Sequence, residues 1–208
     1  MTIRFPEHPL SEVAQYADEY FSTLASGAAR IDRKRLAASA ELIEGTVSAG
    51  GTIYAFGNGG SGAIANHLLC DFSKGIQTDT GLRPKVVSLA SHTELILAIG
   101  NDIDFADIFL YQVRTWARQG DLLLAISSSG NSENIVRALQ WGREAGVRSI
   151  ALTGFDGGRA ADLADIAIHV PVHNYGIVED VHQAIMHTLA QFIRYRNMPS
   201  GLRLTRSF

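Results

Sequence analysis

The sequence predicts a doubly wound α/β fold: a parallel five-stranded sheet flanked by helices, with an N-terminal helical arm. Three observations lead to this prediction. Short apolar runs alternate along the chain with stretches of helical periodicity. Several runs, such as LLLAI and IAL, are apolar throughout, which is typical of parallel strands covered on both faces. The length of 208 residues, with 46% hydrophobic and 19% charged residues, suits one globular domain with a modest extension.

The individual elements follow from local patterns. Apolar residues recur at helical spacing over 10–24 and 36–47, so the first fifty residues are expected to be helical up to a stop at Gly50. Strands are expected at 52–56, 85–89, 122–126, 149–152 and 166–170, separated by helices at about 61–73, 93–100, 105–118, 132–145 and 178–196. No linker or repeat divides the chain, so the predicted organisation is a helical arm at 1–34, a sheet domain at 35–196 and a C-terminal tail at 197–208.

Composition excludes several functional classes. A net charge of -3 without any run of Lys or Arg argues against a nucleic-acid surface. The single cysteine, Cys70, excludes an internal disulfide and suits a reducing cytosol. The N-terminus has no apolar core of signal-peptide length, and no segment reaches the roughly 18 apolar residues of a membrane span. We therefore expect a cytoplasmic protein without a nucleic-acid or membrane partner.

Two loops rich in glycine and serine follow predicted strands. GNGGS at 57–61 comes after the strand at 52–56, and SSSGNS at 127–132 comes after the strand at 122–126. The carboxyl ends of parallel strands meet at one edge of the sheet, where ligands bind. Each loop also precedes a helix, whose first N–H groups and dipole attract anions. Together the loops favour a phosphate-bearing ligand over the alternative that they are simple turns and that Ser132 is only a helix cap.

Ionisable side chains form two groups, one in the helix after the first loop and one in the last helix of the predicted sheet domain. His67 and Asp71 are four residues apart and share one face of the helix that the first loop opens. In the last helix, His187 lies eight residues after Glu179. A lone histidine is more often a core residue, and carboxylates near a helix start often only balance the dipole. Two histidines and two carboxylates near strand-end loops weaken that alternative, because such groups bind zinc or act as acid and base on a carbonyl sugar.

The order of these motifs resembles that of the sugar isomerase (SIS) domain family. GNGGS with His67 and Asp71, Asn101-Asp102, SSSGNS, LTGFDGG at 152–158 and His187 occur in the family's order and spacing over roughly 35–195. Within the family the chain most resembles the phosphoheptose isomerases, which convert sedoheptulose 7-phosphate to D-glycero-D-manno-heptose 7-phosphate. The resemblance implies the SIS fold, this isomerase activity, a sugar-phosphate substrate and zinc as cofactor.

The resemblance also implies a set of site residues. Substrate-binding residues are implied, by position, at Asn58, Gly59, Gly60, Ser61, Asn101, Asp102, Ser127, Ser128, Ser129 and Ser132. Zinc ligands are implied at His67, Asp71, Glu179 and His187. Two of these depart from the family, which has Glu in place of Asp71 and Gln in place of Glu179. Asp71 is one methylene shorter than Glu, so we expect a backbone adjustment that brings its carboxylate to the metal, or a different contact with it. We interpret the two changes together as a relocation, in which Glu179 takes the role of the carboxylate that the family has at the position of Asp71.

An aldose–ketose isomerisation moves a proton between C1 and C2 through an enediol, and it needs a base, an acid and an electrophile. The base is assigned to Asp71 or Glu179, the acid to His187 and the polarisation of the oxygens to zinc. A carboxylate oxygen that binds zinc is not a free base, so these two roles compete. The alternative function is a non-catalytic SIS protein that binds a sugar phosphate or a protein partner as a regulator. A third interpretation keeps the chemistry and changes the phosphosugar.

Helix geometry, joined to the resemblance, predicts an oligomer. An unbroken helix separates Glu179 and His187 by about 12 Å along its axis, which is long compared with zinc bonds of roughly 2 Å. Either the helix begins after Glu179, or residues of two chains form the site. The family's tetramers place active sites between subunits, and the arm at 1–34 offers apolar surface for oligomerisation. We therefore predict a homotetramer whose sites are completed at subunit interfaces.

Overall fold

The computed structural model describes residues 2–207 and confirms the predicted α/β fold. The strands are β1 (Ile3–Arg4), β2 (Thr52–Gly57), β3 (Lys85–Ser88), β4 (Leu122–Ser127), β5 (Arg148–Thr153), β6 (Ile166–His169) and β7 (Val172–His173). The helices are α1 (Val13–Ala29), α2 (Arg33–Ser48), α3 (Gly59–Cys70), α4 (Thr93–Asp102), α5 (Ile108–Trp116), α6 (Glu133–Glu144), α7 (Gly158–Leu163) and α8 (Tyr175–Asn197). Among the helices of this described range, none has both the length and the apolar composition that a bilayer crossing requires.

Five strands form the main sheet, and all of their pairings are parallel. Its order is β3-β2-β4-β5-β6, whereas β1 and β7 pair in a separate two-stranded sheet. In β4, Leu122, Leu124 and Ile126 lie in the core on one face, and Leu123 and Ala125 lie in the core on the other. Residues of α2, α3 and α8 complete the first core, and residues of α4, α5 and α6 complete the second. Because both faces are covered, β4 is apolar at nearly every position.

The strand order places the loops after β2 and β4 next to each other. From β2 the chain first adds β3 on one side, and then returns past β2 to add β4 on the other side. This reversal is the topological switch point of a doubly wound sheet, where a crevice opens at the carboxyl edge. The two loops that the sequence singled out therefore border one crevice.

The N-terminal region differs in part from the predicted helical arm. α1 and α2 are present as expected, but Ile3–Arg4 is a strand that pairs with Val172–His173. The next residue, Phe5, is buried in the core beside α8. α1 packs along α8 of its own chain, and Tyr20 Oη donates a hydrogen bond of 2.6 Å to Asp180. The arm is therefore attached to the sheet domain at both its strand and its helix.

α8 begins at Tyr175 and runs without a break to Asn197. Its N-cap is Asn174, whose side-chain oxygen accepts a hydrogen bond of 3.0 Å from the N–H of Ile177. Glu179 therefore lies inside the helix, and the alternative in which the helix begins after it is wrong. The axial separation of about 12 Å between Glu179 and His187 applies in full.

We expect Tyr20→Phe to lower the free energy of unfolding by about 1 kcal/mol, because it removes the hydroxyl that donates to Asp180. Tyr16→Phe is the matched control, since Tyr16 also lies on α1 and its ring contacts Phe5 at 5.0 Å between centroids. Urea denaturation of both variants measures the difference. An equal loss of stability in the two variants contradicts the role of the Tyr20–Asp180 contact in holding the arm.

Candidate active site at the carboxyl edge of the sheet

A reciprocal amide pair joins the two loops. Asn58 follows β2 and Asn134 lies in the first turn of α6, and each side chain donates to the other, at 2.9 and 3.0 Å. Asn134 is buried, so the pair is shielded from competing water. The Asn58 side chain makes no capping bond to α3, which leaves it committed to the pair. The positions of the two loops are thereby fixed relative to each other.

A cavity of about 90 Å³ lies between the loops. It is lined by Asn58, Ser61, Ile126, Ser127, Ser128, Ser129, Ser132, Tyr175 and Glu179. The lining residue Ser132 is the N-cap of α6. The first N–H groups and the dipole of this 12-residue helix favour an anion. The Oγ of Ser128 is buried and, within the described residues, has no hydrogen-bond partner. An unpaired buried hydroxyl is costly, and a ligand oxygen in the cavity gives it a partner.

The serines of the second loop divide between turn and cavity. Ser127 Oγ accepts a hydrogen bond from the N–H of Gly130, and Ser129 Oγ accepts one from the N–H of Asn131, each at 3.2 Å. Both hydroxyls keep their proton for another acceptor. Ser132 occupies the N-cap of α6, but its side chain makes no capping bond. The alternative that Ser132 serves only as a helix cap therefore lacks the contact it requires.

Glu179 projects from α8 towards the start of α3. Its carboxylate lies against Gly60 so closely that a Cβ atom at residue 60 would overlap it. Burial, and secondarily the neighbouring carboxylate of Asp180, raise the pKa of Glu179 above its ordinary value. Burial thus shifts this carboxyl towards its neutral form, which is able to donate a hydrogen bond. Glu179 therefore belongs to the cavity between the loops.

A second group of ionisable side chains lies farther along α3 and α8. His67 and His187 approach at 3.2 Å between their Nε2 atoms. Asp71 places Oδ1 3.4 Å from His67 Nε2 and Oδ2 3.4 Å from His187 Nε2. One ligand atom from each of the three residues lies within 4.8 Å of the others, so the group is able to hold a metal ion. We call these three residues the His–Asp–His group.

The backbone changes form at Asp71. α3 ends at Cys70 and continues as a π-helical turn over Asp71–Ile76. Such turns are rare and often lie at functional sites. The wider turn coincides with the position where a short Asp was expected to need a backbone adjustment, and the Asp71 carboxylate does reach both histidines.

The structure brings most, but not all, of the predicted site residues together. Gly59 starts α3 with φ of 52°, a conformation that favours glycine, and it leads into the cavity residues of the first loop. Asn101 and Asp102 end α4, are exposed and pair with each other at 2.6 Å; neither lines the cavity. Glu179 lies at the cavity and outside the His–Asp–His group, which differs from the predicted set of four metal ligands.

Two residues near the site were missed by the sequence analysis. Tyr175 lines the cavity, and its ring packs edge-on against Phe155 at 4.8 Å between centroids. Gln183 places its side-chain amide 2.9 Å from His187 Nε2. Gln183 lies four residues before His187 on a predicted helix, and this spacing is a signal that identifies Gln183. No comparable pattern marks Tyr175.

Comparison with known proteins matches residues 15–154 to the SIS domain. A curated phosphoheptose isomerase from Laribacter hongkongensis is 41% identical over 165 residues, which cover 77% of this chain and 83% of that protein. The solved phosphoheptose isomerase of Neisseria gonorrhoeae is 34% identical with a TM-score of 0.79, covering 87% of this chain and 96% of that one. The solved enzyme of Francisella tularensis is 28% identical with a TM-score of 0.80, covering 88% and 96%.

Proposed function

The chain belongs to the SIS domain family, and we propose that it is an aldose–ketose isomerase that converts sedoheptulose 7-phosphate to D-glycero-D-manno-heptose 7-phosphate through an enediol. Curated relatives named phosphoheptose isomerase, at 36–41% identity over most of the chain, support this activity. The observation that carries the proposal is a serine-lined cavity beside the His–Asp–His group, with Ser61 and Glu179 of the cavity on the same helices as His67 and His187.

The distance between these two regions fits the substrate. α3 and α8 lie side by side and touch at two places along their length. Glu179 contacts Gly60 near the start of both helices, and His187 contacts His67 farther along them. The axial distance from Glu179 to His187 is about 12 Å, and that from Gly60 to His67 is about 10 Å. An extended heptose phosphate spans roughly 10 Å from phosphorus to C1, given C–C bonds of about 1.5 Å. A phosphate in the cavity therefore brings C1 and C2 to the His–Asp–His group.

The phosphate end of the substrate is held by neutral donors. Hydroxyls of Ser128, Ser129 and Ser132, with N–H groups at the start of α6, surround the cavity. Glu179 lines the same cavity, and burial shifts its carboxyl towards the neutral form by raising its pKa. This assignment supports the predicted substrate-binding role of the second loop.

Proton transfer is assigned to the other end of the site. Asp71 is the favoured base, because it lies beside the acid His187, whereas Glu179 lies at the phosphate end. The base removes the proton from one carbon and returns it to the next, while the acid protonates the carbonyl oxygen and recovers a proton from the hydroxyl of the neighbouring carbon. Proton and electron pair stay within the sugar, so no oxidant is needed. A carboxylate oxygen that binds a metal is not free for this task, so with a metal bound Asp71 would act as base through its other oxygen, and Glu179 remains the alternative base.

The His–Asp–His group fits a zinc ion. Tetrahedral zinc with bonds of about 2.0–2.1 Å holds its ligand atoms about 3.3 Å apart. The two Nε2 atoms are 3.2 Å apart, which matches this separation, and Asp71 lies 3.4 Å from each, through Oδ1 to His67 and through Oδ2 to His187. With one oxygen of Asp71, the three ligand atoms lie within 4.8 Å of one another. When bound there, zinc supplies polarisation of the sugar oxygens. The regulatory alternative has less support, since it gives this group no task.

The proposed function is tested by incubating the full chain with sedoheptulose 7-phosphate, with and without added zinc, and resolving the products by NMR. We expect the aldose phosphate to form with wild-type protein and not with His187→Ala. Binding of the sugar phosphate without any turnover, at every zinc concentration, contradicts the enzyme and favours the regulator. Turnover of another phosphosugar alone contradicts the assigned substrate.

The double variant Ser129→Ala, Ser132→Ala should bind sugar phosphate at least about 100-fold more weakly, because each hydroxyl bonded to a charged group contributes about 1.5–3 kcal/mol. Ser132 makes no side-chain capping bond and Ser129 makes one exposed turn bond to Asn131, so the fold is expected to persist. Ser22→Ala, Ser26→Ala, on the exposed side of α1, is the matched control. Calorimetric titration measures both variants, and an unchanged affinity in the first contradicts the phosphate assignment.

A cytoplasmic homotetramer with sites completed across an interface is part of this proposal. Val13 and Phe21 of α1 are exposed, and Asn101 and Asp102 lie away from the cavity of their own chain. If these last two residues bind substrate, they do so in the site of another subunit. We expect mixed oligomers of Asp102→Ala and His187→Ala chains to be more active than either variant alone. A fully active monomer in sedimentation analysis, or no recovery on mixing, contradicts shared sites.

A further inference from the structure

We propose that Gln183, and not Glu179, is the fourth metal ligand of this chain, joining His67, Asp71 and His187. The inference rests on the proposed metal site and goes beyond it, because it gives each carboxylate of the site a separate task. Gln183 provides a neutral amide oxygen to the metal, and Glu179 remains with the phosphate cavity.

The position of Gln183 on α8 carries the inference. Gln183 and His187 are four residues apart, so their side chains share one face of the helix. The amide nitrogen of Gln183 lies 2.9 Å from His187 Nε2, the same atom that lies 3.2 Å from His67 Nε2 and 3.4 Å from Asp71. Three polar side chains thus lie 2.9–3.4 Å from one imidazole nitrogen. These distances are close to the roughly 3.3 Å that separates two ligand atoms of a tetrahedral zinc ion.

The side-chain amide of Gln183 has the right chemistry as well as the right position. A rotation of about 180° about its last side-chain bond exchanges the amide oxygen and nitrogen. The oxygen then takes the place beside His187 Nε2, where its lone pairs are available to an ion held by the other three residues. Two neutral imidazoles, one carboxylate and one amide leave a divalent ion with a net charge of +1, which favours a bound sugar oxygen.

The placement of Glu179 argues against it as the fourth ligand. Its carboxylate lies at Gly60 and lines the serine cavity, more than two helical turns before His187. Within residues 2–207, Asp71 contributes the sole carboxylate among the ligand atoms that come together. A move of the Glu179 side chain to the metal takes its carboxyl out of the serine cavity.

The test compares metal binding by five full-length proteins: wild type, Gln183→Ala, Gln183→Glu, Glu179→Ala and Gln191→Ala. Gln191 is an exposed glutamine on the same helix. Zinc affinity is measured by competition with a chromophoric chelator, and coordination by the visible absorption of bound Co²⁺. We expect Gln183→Ala to bind zinc more than about 100-fold more weakly and to change the Co²⁺ spectrum, because loss of an outer contact costs only about 10–100-fold. Glu179→Ala and Gln191→Ala should match the wild type, and Gln183→Glu should restore affinity.

Each contrary outcome has a distinct meaning. Unchanged affinity and spectrum in Gln183→Ala, with normal zinc binding by the wild type, overturn the role of Gln183 and leave the isomerase proposal intact. A loss of affinity in Glu179→Ala that equals or exceeds the loss in Gln183→Ala overturns it in favour of the set predicted from the sequence. If the wild type binds neither ion, both this inference and the proposed metal site fail, whereas the product assay decides separately on the isomerase activity.

Discussion

The adjacency of β2 and β4 in the parallel sheet is the constraint on which the site depends. Because β3 and β5 lie on their outer sides, the loops after β2 and β4 open at the same edge and border a single crevice. α3 and α6 start from these loops, so two helix N-termini meet there. α8 closes the crevice by packing along α3. The cavity, the His–Asp–His group and Gln183 all take their positions from this one arrangement of strands.

The site is built mainly on helices, which makes its geometry rigid. α3 carries Ser61 and His67, and α8 carries Glu179, Gln183 and His187. Both helices are anchored by buried apolar residues in the same core, such as Leu68 and Ile185, so their register is fixed by packing. Functional side chains on packed helices are held more accurately than those on loops. The loops contribute neutral donors, for which the demands on accuracy are smaller.

The sheet and its edge were predictable from the sequence, and much of the pairing across helices was not. Fully apolar runs such as β4 indicate strands covered on both faces. Glycine-serine loops that follow two parallel strands are expected at the same edge of the sheet. His67 and Asp71 were visible as a pair because a helix brings residues four apart together. The position of Glu179 at the cavity and that of Gln183 beside His187 depend on how α8 packs against α3. Local periodicity does not encode this packing. The strand at Ile3–Arg4 was missed because two residues are too short for any periodic signal.

The reciprocal bonds between Asn58 and Asn134 have a consequence for how this chain can evolve. Each amide offers one donor and one acceptor to the other, so the pair is its own complement. An aspartate on either side sets two acceptors face to face, and an alanine strands a buried amide without a partner. A tolerated change at one position therefore requires a matching change at the other. The two asparagines, 76 residues apart in the chain, are therefore expected to change together.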